Sequence, residues 1–247
     1  MLVASLSPPA TPELHHHFDL ADEERMRRHG KGTHSAIHQL TVSQPTTVVF
    51  EWTVGEDVVE IGGELLVAWR WPFDWSDLQT EDPAADGFMS LAFEPASEAG
   101  NEVVLKPRYN WFSGIEPWHH QIHVKVEQGF LRKGDRIRLL CGDTEYGSTG
   151  WRAPTCVDNS LEFVMAIDHL GNSIRNRLVQ QPLFAVVPGP AVGLTAFVHS
   201  DTVIGEPAEV IARAEDCWGN VTWLETQPTV SLESSDGEIR IVPVDCD

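Results

Sequence analysis

The feature that most constrains the fold is a change in the spacing of apolar residues at residue 35. From there on, apolar and polar residues alternate with a period of two, in short segments rich in β-branched and aromatic side chains. Gly, Pro, Asn or Asp bounds each segment, and no strong helical periodicity follows His29. The predicted strands cover residues 36–42, 47–54, 65–71, 88–93, 103–105, 120–126, 137–141, 161–167 and 183–187. About nine strands without intervening helices predict an all-β protein, an antiparallel β-sandwich of Greek-key or jelly-roll type.

Residues 1–34 precede this pattern and are predicted to form an N-terminal arm with one short helix. Asp19 can cap a helix over residues 19–29, which has acidic residues in its first half and basic residues in its second. Gly30 and Gly32 are expected to end this helix. The histidines at 15–17 could chelate a metal ion, but in a flexible arm we expect no role for them.

A Pro-Gly-Pro segment at residues 188–190 interrupts the strand pattern and predicts a domain junction. The β-sandwich domain is therefore expected over residues 35–188 and a second module over residues 189–247. Strand patterns resume at 192–198, 208–214 and 230–232, as at the start of an immunoglobulin-like domain. Only 57 residues follow Pro190 (247 − 190), whereas such a domain needs about 100. We therefore expect a partial immunoglobulin-like module.

The charge of the chain argues against two classes of partner. The formal net charge is −20, and residues 51–102 hold thirteen acidic side chains against the single base Arg70. Residues 103–199 are different, with ten bases and eight acids. Because an acidic surface repels phosphate backbones and anionic lipid, we expect binding neither to nucleic acid nor to a membrane. The acidic face is instead expected to aid solubility or to dock on a more basic protein surface.

The N-terminus carries no recognisable targeting signal. Met1 to Pro12 lacks both a basic region and a sustained apolar region, so it does not match a signal peptide. No uninterrupted apolar run approaches the roughly 20 residues that span a bilayer. We therefore expect a cytoplasmic protein, in which the four cysteines are reduced, buried thiols.

No complete catalytic or metal-binding motif is present. His119 and His123 would lie on one face of a strand about 13 Å apart, at about 3.3 Å per residue. One zinc ion cannot bridge that distance, because each Zn–N bond is only about 2.0–2.1 Å long. The cysteines show neither CxxC nor CxxH spacing, and the acidic residues around Asp74 lack the spacing of a calcium loop. We therefore expect no catalytic residue, no metal and no cofactor in this chain.

Nine tryptophans are the most unusual feature of the composition. Trp69, Trp71, Phe73 and Trp75 follow each other at period two and would line one face of a continuous strand. An exposed row of this kind would suit sugar stacking, as in a carbohydrate-binding module. The preferred interpretation is that these rings fill the core of the sandwich.

Several ordered motifs resemble a large bacterial family of unknown function. Residues 68–85 (AWRWPFDWSDLQTEDPAA) resemble a family segment that reads approximately as a hydrophobic strand, then Ser/Phe-Asp-Trp, then Gln-x-x-Asp-Pro-Ala-Ala. Residues 129–135, 147–152 and 187–191 are similar in order and spacing. Residues 212–220 (ARAEDCWGN) resemble a repeated motif of bacterial immunoglobulin-like modules. The resemblance covers roughly residues 35–240.

Members of that family resemble metal-dependent hydrolases of the polymerase-and-histidinol-phosphatase type, whose catalytic half follows such β modules. The motif that opens that half, Gly-Asp-Leu-His-x-His, is absent here, so no catalytic residue can be transferred. The resemblance implies a non-catalytic N-terminal β region that serves as scaffold or substrate-site wall. Its partner would be a catalytic domain or subunit that holds a divalent metal, or further copies of the chain. A carbohydrate-binding module and a self-contained enzyme with an unrecognised carboxylate and histidine site stay as alternatives.

Residues 71–86 are the most distinctive part of the resemblance and are predicted to form a long ordered loop. We expect Trp75 to pack on the sandwich and Arg152 to pair with an acid of the loop. The predicted contacts to a partner or substrate site are Trp71, Asp74, Trp75, Asp77, Asp82 and Arg152.

Overall fold

The computed structural model describes residues 20–35, 39–70, 74–97, 102–112, 116–199, 201, 203, 206 and 210–224. The chain divides into two compact units, Met1–Pro188 and Gly189–Asp247. This division falls inside the Pro-Gly-Pro segment. Within the described ranges, no helix is both long and apolar enough to cross a membrane.

The described residues form one helix and sixteen strands, so the predicted all-β class is confirmed. The helix is α1 (Asp22–His29). The strands of the first unit are β1 (Gly30–His34), β2 (Gln39–Thr41), β3 (Pro45–Thr46), β4 (Val48–Val54), β5 (Glu64–Trp69), β6 (Met89–Glu94), β7 (Val104–Asn110), β8 (His120–Gln128), β9 (Arg136–Cys141), β10 (Trp151–Arg152), β11 (Asp158–Asp168), β12 (Asn176–Arg177) and β13 (Leu183–Val187). The strands of the second unit are β14 (Gly193–Val198), β15 (Val210–Glu215) and β16 (Val221–Thr222).

Two sheets form the first unit. The small sheet has the strand order β1-β4-β9-β6, and the large sheet has the order β2-β13-β11-β5-β8-β7, with β12 added to β11. A short ladder joins β10 to β3. The pairings are antiparallel except that of β2 with β13, which is parallel. Both sheets place strands that are distant in sequence side by side, as the predicted sandwich type requires.

Among the described residues, the main hydrophobic core lies between the two sheets, and a smaller cluster of Leu66, Ala68, Trp118, Val164 and Ala166 lies on the other face of the large sheet. The alternating burial of β4 directs Val48, Phe50, Trp52 and Val54 inward, and β9 contributes Leu139 in the same way. These side chains join one cluster with the inward residues of β5, β8 and β11 from the large sheet. Period-two alternation is clear in β4 and β9, whereas β5 and the second half of β11 are buried on both faces.

Four tryptophans lie in this core. Trp52, Trp69, Trp75 and Trp151 are all buried, and the rings of Trp75 and Trp151 stack with centroids 3.8 Å apart. This supports the interpretation of these rings as core residues rather than as a sugar-binding row. Trp71 and Phe73 of the predicted row lie outside the described residues.

The predicted N-terminal arm is wrong at its C-terminal end, because β1 pairs with β4 throughout its length. This strand was not predicted from the sequence because it contains two glycines, a residue type that is depleted in strands. Gly30 is required here: its φ is +93°, and a Cβ would lie 2.1 Å from the carbonyl oxygen of Thr53. The helix also begins later than predicted, at Asp22, and its N-cap Ala21 makes no side-chain capping hydrogen bond. Asp19, the predicted cap, lies outside the described residues.

The second unit is a three-stranded antiparallel sheet in the order β14-β15-β16. Asp216 organises the turn between β15 and β16, where its carboxylate accepts hydrogen bonds from the backbone N–H groups of Trp218 and Asn220. The predicted strand at 230–232 lies outside the described residues. An immunoglobulin-like identity for this unit stays a prediction.

The expectation of buried thiols is only partly correct. Cys141 is buried in the core, whereas Cys156 and Cys217 are exposed and free. Cys246 lies outside the described residues. Cys141 lies on the inward face of β9, whereas Cys156 and Cys217 lie in a bend and a turn, and the spacing of cysteines along the chain does not report this difference.

Candidate functional site

The outer face of the large sheet carries charged side chains along β7 and β8. Val124 of β8 points into the core, so its neighbours His123 and Lys125 face outward. In the β7–β8 ladder, Lys106 lies opposite Lys125, and Arg108 lies opposite His123. Antiparallel register thus brings four basic side chains to one surface.

These side chains line a cleft of about 500 Å³. The N-terminal end of β5 and the segment after β11 form the rest of its wall. The charged lining residues are the basic Lys106, Arg108, His123, Lys125 and Arg175 and the acidic Glu64, Glu127 and Asp168.

Glu64 forms an ion-pair network at the cleft wall. Its Oε2 accepts a hydrogen bond of 3.0 Å from His123 Nδ1, and its Oε1 accepts one of 3.1 Å from Arg175 Nη2. The three side chains are only 15%, 17% and 10% exposed. Burial opposes ionisation of Glu64, but the hydrogen bonds and charges of His123 and Arg175 outweigh it and hold the pKa of Glu64 below its usual value.

Asp168, a second acid of the lining, serves the backbone. Its Oδ1 accepts hydrogen bonds from the N–H groups of Leu170 and Gly171, and its Oδ2 accepts one from Ser173. A carboxylate used in this way shapes the loop that closes the cleft. Its oxygens are occupied by these backbone donors, while the carboxylate keeps its negative charge.

The cleft therefore has unmatched positive charge. Lys106 Nζ lies 3.6 Å from Glu127 Oε1. Within the residues that the structure describes, no carboxylate oxygen lies within 4.0 Å of the charged groups of Arg108 or Lys125. Arg175 Nη1 is buried and finds no hydrogen-bond acceptor among those residues. In a chain of net charge −20, this cleft is a local basic surface.

The predicted contact loop is held to the sandwich by its own residues. Asp74 accepts hydrogen bonds from the backbone N–H and the hydroxyl of Thr155, at 2.8 and 2.9 Å. Arg152 Nη1 lies 3.8 Å from the Asp74 carboxylate, and Arg152 Nη2 donates to the Asp74 carbonyl at 3.0 Å. The indole of Trp151 donates to the carbonyl of Ser76 at 2.8 Å. The loop at 74–86 and the segment at 147–152, which both carry motifs of the family resemblance, are therefore joined by hydrogen bonds.

Gln79 and Asp82 build a turn within this loop. Gln79 Oε1 accepts hydrogen bonds from the N–H groups of Glu81 and Asp82, and its Nε2 donates to the carbonyl of Asp82. The Asp82 carboxylate accepts from Ala84 N–H at 3.0 Å. The Gln-x-x-Asp-Pro spacing is thus explained by backbone turn chemistry alone.

Asp77 has a different environment. It lies beside Tyr109, whose hydroxyl is 2.9 Å from His120 Nδ1. Burial, and next the charge of Asp77, raises the pKa of Tyr109 above its ordinary range. The rings of Tyr109 and His120 also stack on the indole of Trp69. This packing favours a structural role for the cluster.

The cleft and the predicted contact residues are separate. Asp74, Trp75, Asp77, Asp82 and Arg152 do not line the cleft, and Trp71 lies outside the described residues. Whether the five described residues contact a partner stays a prediction. The sequence did carry one signal of the cleft, the local excess of bases in residues 103–199, and outward alternation in β7 and β8 could have refined it.

Two histidines, the buried His120 and the partly buried His169, make the fold sensitive to acid. Burial lowers the pKa of His120 and of His169 below the ordinary value of 6.5. The unfolded chain therefore takes up protons before the folded protein does, and the stability that the neutral rings contribute above pH 6.5 is lost as the pH falls through the lowered values. We expect urea denaturation in metal-free buffer to give a smaller free energy of unfolding at pH 5 than at pH 7.5.

A variant carrying His120→Gln and His169→Gln is the comparison for this prediction. Its free energy of unfolding is expected to depend less on pH over the same interval, because neither glutamine titrates. An equal pH dependence in the variant and the parent chain would contradict the assignment to these two rings.

Comparisons with known proteins add little to these observations. No protein-family model matches the chain, and no curated protein matches it. Among solved structures, the chain is similar to one described as "AvmM Catalyzes Macrocyclization in Alchivemycin A Biosynthesis". That similarity has 12% sequence identity, covers 66% of this chain and 90% of that chain, and has a TM-score of 0.33. At this level it supports no conclusion on fold or function.

Proposed function

We propose that this chain is a non-catalytic β module that binds an anionic group in the basic cleft. In this proposal the cleft is part of the substrate site of a metal-dependent hydrolase of the polymerase-and-histidinol-phosphatase type. The catalytic domain and its divalent metal would belong to a partner domain or subunit. The hydrolase part rests on the family resemblance of the sequence, and the anion-binding part rests on the cleft.

The observation that carries the proposal is the unmatched charge of Arg108 and Lys125. Both side chains are exposed on the cleft, and no described carboxylate pairs with them. Charged donors bind carboxylate or phosphate oxygens through short, charge-assisted hydrogen bonds. Walls of low dielectric around such groups strengthen the attraction relative to open solvent.

The same cleft is poorly suited to catalysis by this chain alone. A general base needs a proton-accepting group that can reach the substrate. Both oxygens of Glu64 accept hydrogen bonds from His123 and Arg175, and Asp168 accepts from backbone N–H groups. His123 donates its Nδ1 proton to Glu64, which leaves His123 Nε2 as the proton-accepting atom of this group. The non-catalytic assignment therefore rests on the sequence, which contains no complete catalytic motif.

A carbohydrate-binding module is the second candidate, favoured by two exposed aromatic side chains. Trp111 and Phe112 directly follow Asn110, which lines the cleft, and they are 64% and 57% exposed. Phe112 stacks on His119 with ring centroids 4.9 Å apart, which fixes one of these rings. Retardation on a polysaccharide gel that is lost in Trp111→Ala would favour this candidate.

Phosphate binding tests the principal proposal. We expect isothermal titration with inorganic phosphate to detect binding that weakens at least about tenfold in the double variant Arg108→Ala, Lys125→Ala, because two charge-assisted contacts are removed. The affinity is also expected to fall with added NaCl, as exposed charges are screened.

The matched control is Arg136→Ala, Arg138→Ala, which removes two exposed bases from β9 in the small sheet. Phosphate affinity in this control should equal that of the parent chain. An equal loss of phosphate affinity in both double variants would show that the loss follows from the net charge of the chain. That result would contradict specific binding in the cleft. Turnover of a phosphomonoester by the isolated chain with Mn²⁺ would contradict the non-catalytic assignment.

A further inference from the structure

A second group of polar side chains, none of which lines the cleft, lies where helix α1 meets the end of β11. His29 is the last residue of α1, Asp57 belongs to the loop after β4, and His169 directly follows β11. Their three potential ligand atoms all lie within 4.8 Å of one another. His29 is buried, whereas Asp57 and His169 are partly exposed, so the group is open on one side.

The backbone brings these three residues together. The N–H groups of Glu56 and Asp57 donate to the carbonyls of Arg27 and Arg28, each at 2.9 Å. Gly55 permits this close approach, because a Cβ there would lie 2.3 Å from the carbonyl oxygen of Arg28. His169 is held from the other side by a hydrogen bond of 2.8 Å from Glu60 N–H to its carbonyl.

The distances match the demands of metal ligation. His29 Nδ1 lies 2.9 Å from His169 Nε2 and 3.8 Å from Asp57 Oδ2. Two Zn–N bonds of about 2.0–2.1 Å that meet at about 90–110° place their nitrogens about 2.9–3.4 Å apart. The carboxylate would have to move inward by about 0.5 Å, which a small side-chain rotation provides.

We propose that His29, Asp57 and His169 bind a divalent transition-metal ion, with Zn²⁺ as the test ion. Two imidazoles and one carboxylate suit ions of the zinc and iron group, and the open side leaves room for water as a further ligand. This replaces the sequence-based expectation of a metal-free chain. Local spacing could not reveal the group, because its members lie 28 residues (57 − 29) and 112 residues (169 − 57) apart.

One neighbouring interaction competes with the metal. Arg28 Nε donates a hydrogen bond of 2.9 Å to Asp57 Oδ2. This ion pair orients the carboxylate and partly neutralises its charge. The two imidazoles can also share a hydrogen bond without any ion. The experiment must therefore distinguish a metal site from a histidine pair that is stable on its own.

The experiment uses the full chain with His15→Ala, His16→Ala and His17→Ala, so that the N-terminal histidines cannot bind the added metal. Equilibrium dialysis against Zn²⁺, followed by elemental analysis, is expected to give about one ion per chain. Loss of an outer-sphere partner weakens metal binding by about 10–100-fold, so loss of a ligand in Asp57→Asn or His169→Gln should weaken it at least tenfold.

Two controls make the result specific. His119→Gln removes a histidine outside the group and should leave Zn²⁺ affinity unchanged. Co²⁺ bound to the folded chain should show d–d absorption without a thiolate charge-transfer band, which separates this site from the exposed Cys156 and Cys217. Absence of Zn²⁺ binding, a thiolate band, or unchanged affinity in both ligand variants would overturn the proposal.

Discussion

Replacing Trp75 with alanine is expected to lower the free energy of unfolding by about 3–5 kcal/mol. The indole is only 5% exposed, stacks on Trp151 at 3.8 Å and meets Phe163 edge to face. Removing it leaves a cavity between the sandwich and the loop that carries Asp74. Urea denaturation followed by circular dichroism measures the loss.

Trp111→Ala is the matched control, because Trp111 is 64% exposed. Removing this indole should change the free energy of unfolding by no more than about 0.5 kcal/mol. If Trp75→Ala lowered the free energy of unfolding as little as Trp111→Ala, the loop would be a solvated segment. Its contacts with residues 147–152 would then not stabilise the fold.

The large expected effect follows from the way the two family-like motifs meet. Trp75 is fixed by Trp151, whose own indole nitrogen donates to the Ser76 carbonyl, and Arg152 reaches the Asp74 carbonyl. One substitution therefore removes a stacking partner and loosens polar contacts on both sides of it. These coupled contacts are not expected to be additive.

Much of the fold was predictable, because period-two alternation reports directly on which side chains enter a core. The predicted strand 183–187 matches β13, and 137–141 misses only the first residue of β9. Where alternation is weak the prediction was less accurate: the strand predicted at 103–105 extends to Asn110 across Pro107. That position tolerates a proline because β7 is an edge strand, at the end of the strand order of the large sheet.

The candidate sites were much less predictable. The cleft joins Glu64, Arg108, Lys125 and Arg175 from separate parts of the chain, and their proximity depends on strand order and register. A single sequence shows which residues share a face of one strand, but not which strand lies beside it. For the same reason no local motif could reveal that His29 lies against His169.

The network around Glu64 provides the second large prediction, a loss of about 3 kcal/mol in the free energy of unfolding on Glu64→Gln. Glutamine keeps the shape of the side chain but removes the charge, so the guanidinium of Arg175 stays largely buried without its carboxylate. Removing one partner of a buried ion pair leaves the other charge uncompensated, and His123 loses a charged acceptor at the same time. Denaturation at pH 7 measures the loss against the parent chain.

The pH dependence of this loss tests its cause. The pKa of Glu64 lies below its ordinary value of 4.5 in the fold, so its stabilising contribution is present above pH 4.5 and is lost as the pH falls through the lowered value. The parent chain and Glu64→Gln should therefore approach equal stability in acid. Glu51→Gln is the control, because the Glu51–Arg138 pair is 53% and 52% exposed and is worth no more than about 1 kcal/mol. The difference in free energy of unfolding between the parent chain and Glu64→Gln could instead stay the same at low pH. Packing would then be its cause, and the Glu64–Arg175 pair would not stabilise the cleft wall electrostatically.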